Sequence, residues 1–363
     1  MLKNTHIWLS SYIRQRIEPN RGRPAKRPVH IMFCVADHFE PGWNEPAYST
    51  EVGRIKRWVE GYPAAAGEFA DSDGKFPQHT FFYPEEEYRP EHLDKLSELC
   101  RKGFGEIEVH LHHHHDTADG MREKLKRCKD RFSKHGALSF DCKTKETKFG
   151  FVHGNWALNN SRGDSRWCGV NSELKLLNDL GCYADFTLPS APDRSQTGKI
   201  NSIYYAKDDP ARPKSHDTGT DVEAGKEPSG DLMIIQGPLT LNWRRRKWKV
   251  LPRIENGEIS AHNPPTKTRI DYWIDAKIHV KGRPEWIFVK VYTHGAQEAN
   301  SDIFLGESIR KMHSYLKEKY NDGKKYMLHY VTAREIYNII KAAEGGLNGN
   351  PAMYRDYLLK RRC

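Results

Sequence analysis

Residues 106–116 read Glu-Ile-Glu-Val-His-Leu-His-His-His-His-Asp, the strongest chemical signal in the chain. A neutral imidazole binds a metal without carrying a charge into the site, which makes histidine the commonest metal ligand. The run begins with strand alternation, Glu108, His110 and His112 falling on one face at period two. It ends in consecutive histidines where the strand runs out. Two ligand pairings follow: His110 with His112 from one strand face, or His110 with His114 from strand end and loop. A solvated polar loop is the bland alternative. An expression tag is a poor one, because this run lies inside a strand-to-loop transition. With a carboxylate added, two imidazoles make a ligand set for zinc or a related divalent ion, leaving a position open for water. Water activated there attacks a polarised carbonyl, and a separate histidine such as His294 suits the role of general acid.

Further polar clusters stand where other strands should end: Asp37-His38, then His153-Gly154-Asn155-Trp156, then Asp185 with the turn at 187–190, then Thr293-His294-Gly295. They meet only if those strands run side by side. Residues 29–36 read as a buried strand. Val52, Ile55, Trp58, Val59 and Tyr62 give a helix over 50–62 that Pro63 should stop. Residues 79–83 form a strand, and 91–102 an amphipathic helix closed by Gly103. Strands follow at 149–153, 182–186, 232–235, 286–292 and 326–331, with helices at 172–180 and 303–320. Gln297 and Glu298 read as the start of a helix, and Thr332-x-x-Glu335 is a capping box. Strands alternating with helices imply an α/β fold with a mainly parallel sheet. Seven or eight such units suffice to close a barrel. Active sites of parallel folds gather at the strand carboxyl ends, which is where these clusters fall.

Outside that body, residues 1–28 form a basic arm, with a short amphipathic helix over 1–17 and a Pro- and Gly-containing linker over 21–28. The barrel spans 29–345, interrupted by irregular insertions at about 193–230 and 242–267, the second carrying Arg244 to Lys247 between Trp243 and Trp248. Residues 346–363 are expected to form a terminal helix. No internal repeat is visible.

The motif order also carries a family resemblance. Asp37-His38, His110-x-x-x-His114, His153-Gly154-Asn155-Trp156 and Thr293-His294 resemble, in sequence order, the NodB-type polysaccharide deacetylases. These are carbohydrate esterase family 4 in the broad sense, within the glycoside hydrolase/deacetylase superfamily. The segments 36–41 and 151–158 look like a branch associated with bacterial surface polysaccharides. In element order the resemblance runs over residues ~30–340. It implies a distorted (β/α)7–8 barrel with insertions, a divalent metal of the zinc type, and hydrolysis of an acetyl group on a sugar. The family's first motif holds two adjacent carboxylates, one a base and one a metal ligand; here His38 follows Asp37. Either Asp37 ligates and Glu40 or Asp185 is the base, or Asp37 is the base and His38 replaces the missing ligand. The metal set is therefore drawn from Asp37, His38, His110, His112 and His114, with Asp37 and His294 as catalytic groups. His153-Asn155-Trp156 stands in place of the family's Arg-Pro motif. Together with Asp185 it is read as lining the substrate site, although His153 and His294 also suit a satisfied core, Asp185 a turn or a carboxylate behind a ligand, and Trp156 rim packing.

Composition sets outer limits. The 363 residues allow a large core. Lys and Arg number 58 against 48 Asp and Glu, a net charge of +10. This favours anionic partners, or simple solubility. Nothing resembles a zinc finger or an RNP motif, so nucleic acid is the weakest partner class. Seven cysteines without a C-x-x-C pair fit reduced thiols, and no stretch is apolar enough to span a bilayer. The expectation is a cytoplasmic deacetylase of amino sugars in a polysaccharide or its lipid-linked precursor, touching the inner membrane face through its basic surface. Three alternatives compete. A glycosidase would pair Glu40 or Glu108 with Asp185; a metallo-phosphoesterase is suggested by His110-x-His112; a glycan-binding protein would carry a degenerate site.

Overall fold

Strand β1 (Val29–His38) is the centre of the molecule, and its alternating side chains feed two separate cores. In the computed structural model, which describes residues 3–17 and 28–362, β1 pairs in parallel with a late strand over Trp286–Thr293 along one whole edge. Its other edge is shared between the strand Tyr326–Tyr330 and the strand His79–Pro84.

In chain order the strands are β1, β2 (His79–Pro84), β3 (Gly105–Leu111), β4 (Ser139–Asp141), β5 (Thr147–His153), β6 (Cys182–Asp185), β7 (Ile203–Ala206), β8 (Thr220–Asp221), β9 (Leu232–Ile235), β10 (Thr240–Lys247), β11 (Leu251–Glu255), β12 (Trp286–Thr293), β13 (Tyr326–Tyr330) and β14 (Leu359–Arg361). The main ladder runs β12-β1-β2-β3-β5-β6-β9-β7-β8. It is parallel from β12 to β9, and only β7 and β8 turn antiparallel. Among the described residues the ladder does not return from β8 to β12. Lys290 of β12 nevertheless reaches the carbonyl oxygens of Phe186 and Leu188, just beyond β6. The α/β class with a mainly parallel sheet is thus as the sequence implies.

The helices are α1 (Leu9–Ile17), α2 (Tyr48–Ala66), α3 (Pro90–Leu99), α4 (Ala118–Ser133), α5 (Glu173–Asp179), α6 (Lys267–Asp275), α7 (Glu298–Phe304), α8 (Glu307–Tyr320) and α9 (Ala333–Glu344). On one face Phe33, Val35, Phe81, Val109 and Phe151 meet apolar residues of α2, α3, α4, α5 and α8. On the other, Met32, Cys34, Ala36, Phe82, Val152 and Phe288 meet Ile336, Ile339 and Ile340 of α9. Each large side chain buried in this way contributes about 1.5–3 kcal/mol.

Several boundaries differ from expectation for identifiable reasons. Helix α2 continues through Pro63 to Ala66, its last turn held down by buried Ala65 and Ala66. The single helix expected over 303–320 is two, broken at Gly306, where a side chain would strike the Asp302 carbonyl. The start of α7 at Glu298, with Gln297 before it, is as read from sequence, as is the Thr332–Glu335 capping box. No helix forms over 346–363. A short turn, Pro351–Tyr354, precedes β14, which pairs with β4. Buried Asn338 fixes this extended tail, its oxygen accepting from the backbone N–H of Leu358 and Leu359 and its nitrogen donating to the carbonyls of Arg355 and Leu359.

The arm packs on the body: Trp8 and Tyr12 are buried against Ala191, Ile200, Leu239 and Leu241. Of the linker expected over 21–28, residues 21–27 lie outside the described residues. The first insertion contains β7 and β8, and the second most of the β10–β11 hairpin. No helix of the described residues is long and apolar enough to cross a membrane.

Candidate active site

Because β1, β3, β5, β6 and β12 run parallel, their carboxyl ends share one edge of the sheet, and most of the chemistry stands there. His38 is the last residue of β1 and His110 the penultimate residue of β3, both on the face shared with Ala36 and Phe82. Glu40, two residues past β1, completes a group whose ligand atoms all lie within 4.8 Å of one another: His38, Glu40 and His110. His110 Nε2 is 3.0 Å and His112 Nε2 3.2 Å from the same oxygen, Glu40 Oε1. Four rings form a row, His294–His38–His110–His112, with successive centroids 4.7, 5.0 and 4.6 Å apart.

Burial lowers the pKa of His38 well below the ordinary imidazole value, helped by His294 and His110 beside it. Burial also lowers that of His110, against the pull of Glu40. Both rings are therefore neutral, the state a ligand needs. Burial would raise Glu40, but its hydrogen bonds with His110 and His112 prevail and hold it well below the carboxylate range. At the open end His112 is a third exposed and its Nδ1 touches Glu86. Burial disfavours its charge, yet the bonds to Glu40 and Glu86 outweigh that and raise its pKa to about 10.

The donor set passes a test of fit for a zinc-class ion. Two neutral imidazoles and one carboxylate are the ligands of many catalytic zinc sites. The Nδ1 atoms of His38 and His110 are buried with no hydrogen-bond partner. Access remains on the side of His112 and half-buried His294. Trp156 forms a wall, its ring 6.2 Å from His38 and 6.1 Å from His294. It holds that place through a left-handed backbone, φ 56°. Gly154 before it must lack a side chain, since a Cβ would fall 2.3 Å from the His112 ring.

Asp37 requires correction as a metal ligand or base in this group. Successive strand residues point to opposite faces, so Asp37 turns away from His38 towards the face covered by α2. There its Oδ2 is 2.7 Å from His79 Nε2, and its Oδ1 accepts from the Gly295 N–H at 2.6 Å. A side chain at Gly295 would come within 2.1 Å of the carboxylate. Asp37 thus clamps the segment that presents His294. His114 is also outside the group: it is exposed, its Nδ1 2.6 Å from the Arg166 carbonyl and its ring beside Trp167. Of the two pairings open in sequence, the structure brings His110 to His112.

His153 lies elsewhere than the rim expected for it. With His113, Cys168 and Glu173 it makes a second group of potential ligands, completely enclosed. Asn155 donates to the His113 carbonyl at 3.0 Å and so joins the wall to that group. Asp185 is buried behind both: it accepts from the N–H and hydroxyl of Thr187, whose oxygen accepts from the His153 N–H. Burial pushes its pKa up, and Lys290 counters that. Glu108, another carboxylate of interest, is buried in mid-strand, accepting from Tyr183 and the Gly150 N–H.

Sequence reasoning misses Glu86, His113, Cys168 and Glu173 as parts of sites. Only His113 had a signal, its place in the histidine run. No protein-family model matches the chain, and no curated protein matches it significantly.

Proposed function

We propose that the protein is a metal-dependent hydrolase that removes acetyl groups from amino sugars of a bacterial polysaccharide or of its lipid-linked precursor. The observation that carries this reading is the convergence of His38, Glu40 and His110 at the open strand edge, with a further imidazole at each end of the row. His38, Glu40 and His110 would hold the ion. Such an ion supplies Lewis-acid activation of an acyl carbonyl and of water.

The chain's own groups then have defined tasks. His294, presented by the Asp37 clamp, gives a proton to the departing sugar nitrogen. His112, held between Glu40 and Glu86, relays a proton at the other end. Trp156 offers an aromatic face to the apolar face of a sugar ring. The sheet is read as a distorted barrel of the polysaccharide deacetylase type, with Lys290 spanning the side where strand pairing is missing. A cytoplasmic enzyme at the inner membrane face fits the +10 charge and the exposed Trp243, Trp248 and Arg244–Lys247 hairpin. A glycosidase is less well supported: Glu108 and Asp185 are fully buried and bonded to protein groups, whereas that chemistry needs two carboxylates facing the glycosidic bond.

The test is acetate release from a panel of N-acetylated amino-sugar oligosaccharides and lipid-linked saccharides by zinc-loaded protein. Release that His110→Ala abolishes is expected. No release by the loaded wild type on any member would sink the reading.

A further inference from the structure

We propose that His113, His153, Cys168 and Glu173 form a second metal site, structural in purpose, which takes a zinc-class divalent ion and fastens the 154–172 loop to the strand ends. The four side chains come from separate places: the turn after β3, the end of β5, the loop, and the first residue of α5. Their ligand atoms nevertheless all lie within 4.8 Å of one another. His113 Nε2 is 3.1 Å and His153 Nε2 3.9 Å from Glu173 Oε1, and Cys168 Sγ is 3.4 Å from Glu173 Oε2.

Three observations point to a cation at their centre. His153 Nε2 is completely buried and has no hydrogen-bond partner. Cys168 Sγ accepts backbone N–H groups from Asn160 at 3.3 Å and Val170 at 3.4 Å, donors that suit a thiolate once a cation offsets the burial and the Glu173 charge that otherwise push the thiol up to about 11. The Glu173 carboxylate is completely buried, and among the described residues neither lysine nor arginine pairs with it. It accepts from the Asn159 N–H and faces the His113 ring, and a buried carboxylate is costly unless its charge is fully paired. Charge closes in the loaded state. A divalent ion with one thiolate, one carboxylate and two neutral rings sums to zero.

The chemistry selects the ion. One thiolate, two imidazoles and one carboxylate suit zinc, whereas magnesium and calcium prefer oxygen ligands. Four protein ligands with no open position define a structural site. Asp116 Oδ2, itself held by Lys124 at 2.7 Å, lies 3.2 Å from His113 Nδ1 and orients that ring. Ligation by His153 requires the Asn155 amide to release Nδ1, a weak contact at 3.2 Å between near neighbours. This second site is independent of the hydrolase reading, but Asn155 and Trp156 stand on the loop that it fastens.

The experiment is cobalt substitution of the full-length protein, with metal content measured alongside. A thiolate-to-cobalt charge-transfer absorption is expected in the wild type and in His110→Ala, and its loss with a drop in bound metal in Cys168→Ala. Cobalt-loaded wild type without that absorption would overturn the proposal, leaving a protonated His113 as the cluster's only cation. If Cys168→Ala does not fold, alkylation mapping of the wild type decides. Cys168 modified only after chelation supports the site; equal modification with and without chelator refutes it.

Discussion

His110 and His113 are three residues apart and end in opposite kinds of site. His110 is still in β3, so strand alternation aims it at the face where His38 and Glu40 converge. His113 lies past the end of the strand, and the turn carries it to a buried enclosure with Cys168 and Glu173. The donors are similar; access differs. One group opens past His112, a third exposed, and is flanked by His294 and Trp156. The other is sealed. Open coordination serves catalysis and closed coordination serves structure. A third acidic and imidazole group, Asp71, Asp73 and His329, shows what happens where a fixed cation is already present: Arg355 bonds both carboxylates at 3.1 and 2.9 Å.

The largest expected effect tests the sealed side. Glu173→Gln removes the charge that faces His113 and should cost about 3–5 kcal/mol, the range for breaking a buried ion pair. Chemical denaturation reads it. A variant as stable as the wild type would make the sealed group no different from a solvated rim.

On the open side, His110→Ala should lower acetate release by more than about a hundredfold, since even outer-shell partners of metal ligands are worth 10–100-fold. Its cobalt–thiolate absorption should persist. Loss of both signals together would merge the two groups into one.

Glu86→Gln is a milder probe of the same side. It leaves His38, Glu40 and His110 in place and removes one of the two carboxylates holding His112. Acetate release should fall about tenfold with bound metal unchanged. A fall in metal content would assign Glu86 to the ion rather than to the ring.

How far this contrast is legible in sequence depends on range. Alternation along 106–112 correctly places His110 and His112 together, and the strand-end rule gathers His38, His110 and His294 at one edge. The same alternation separates Asp37 from His38, so treating them as a pair goes against the period of the strand. Glu173 and Cys168 have no local pattern, because what brings them to His113 is the path of a loop between β5 and α5. Helix α4 is an intermediate case. Met121, Leu125, Cys128 and Phe132 form its buried stripe, but the charged residues between them mask the period. The extended tail over 358–361 depends on pairing with β4 and on two distant side chains, Arg334 and Asn338, both bonded to Leu359, which no local reading supplies.

Glu108 extends the comparison to a buried carboxylate that has no imidazole at all. It sits two residues before His110 on the same face, accepting from Tyr183 at 2.7 Å and from the Gly150 N–H at 2.6 Å. Burial outweighs these bonds and raises its pKa to about 8. At low pH the folded and unfolded chains both hold this proton. As pH rises above the usual carboxylate value, the unfolded chain releases it while the folded chain keeps it. Stability is therefore lost progressively until Glu108 ionises too, near pH 8, and is level beyond. Glu108→Gln keeps an acceptor for Gly150 and supplies a donor to the Tyr183 oxygen, with no charge to bury. Its stability relative to wild type should rise between about pH 5 and 8, by up to about 4 kcal/mol, as read by denaturation at a series of pH values. A difference independent of pH would mean that Glu108 is ionised throughout, and that a buried carboxylate here can do without the cation that the sealed group is built to hold.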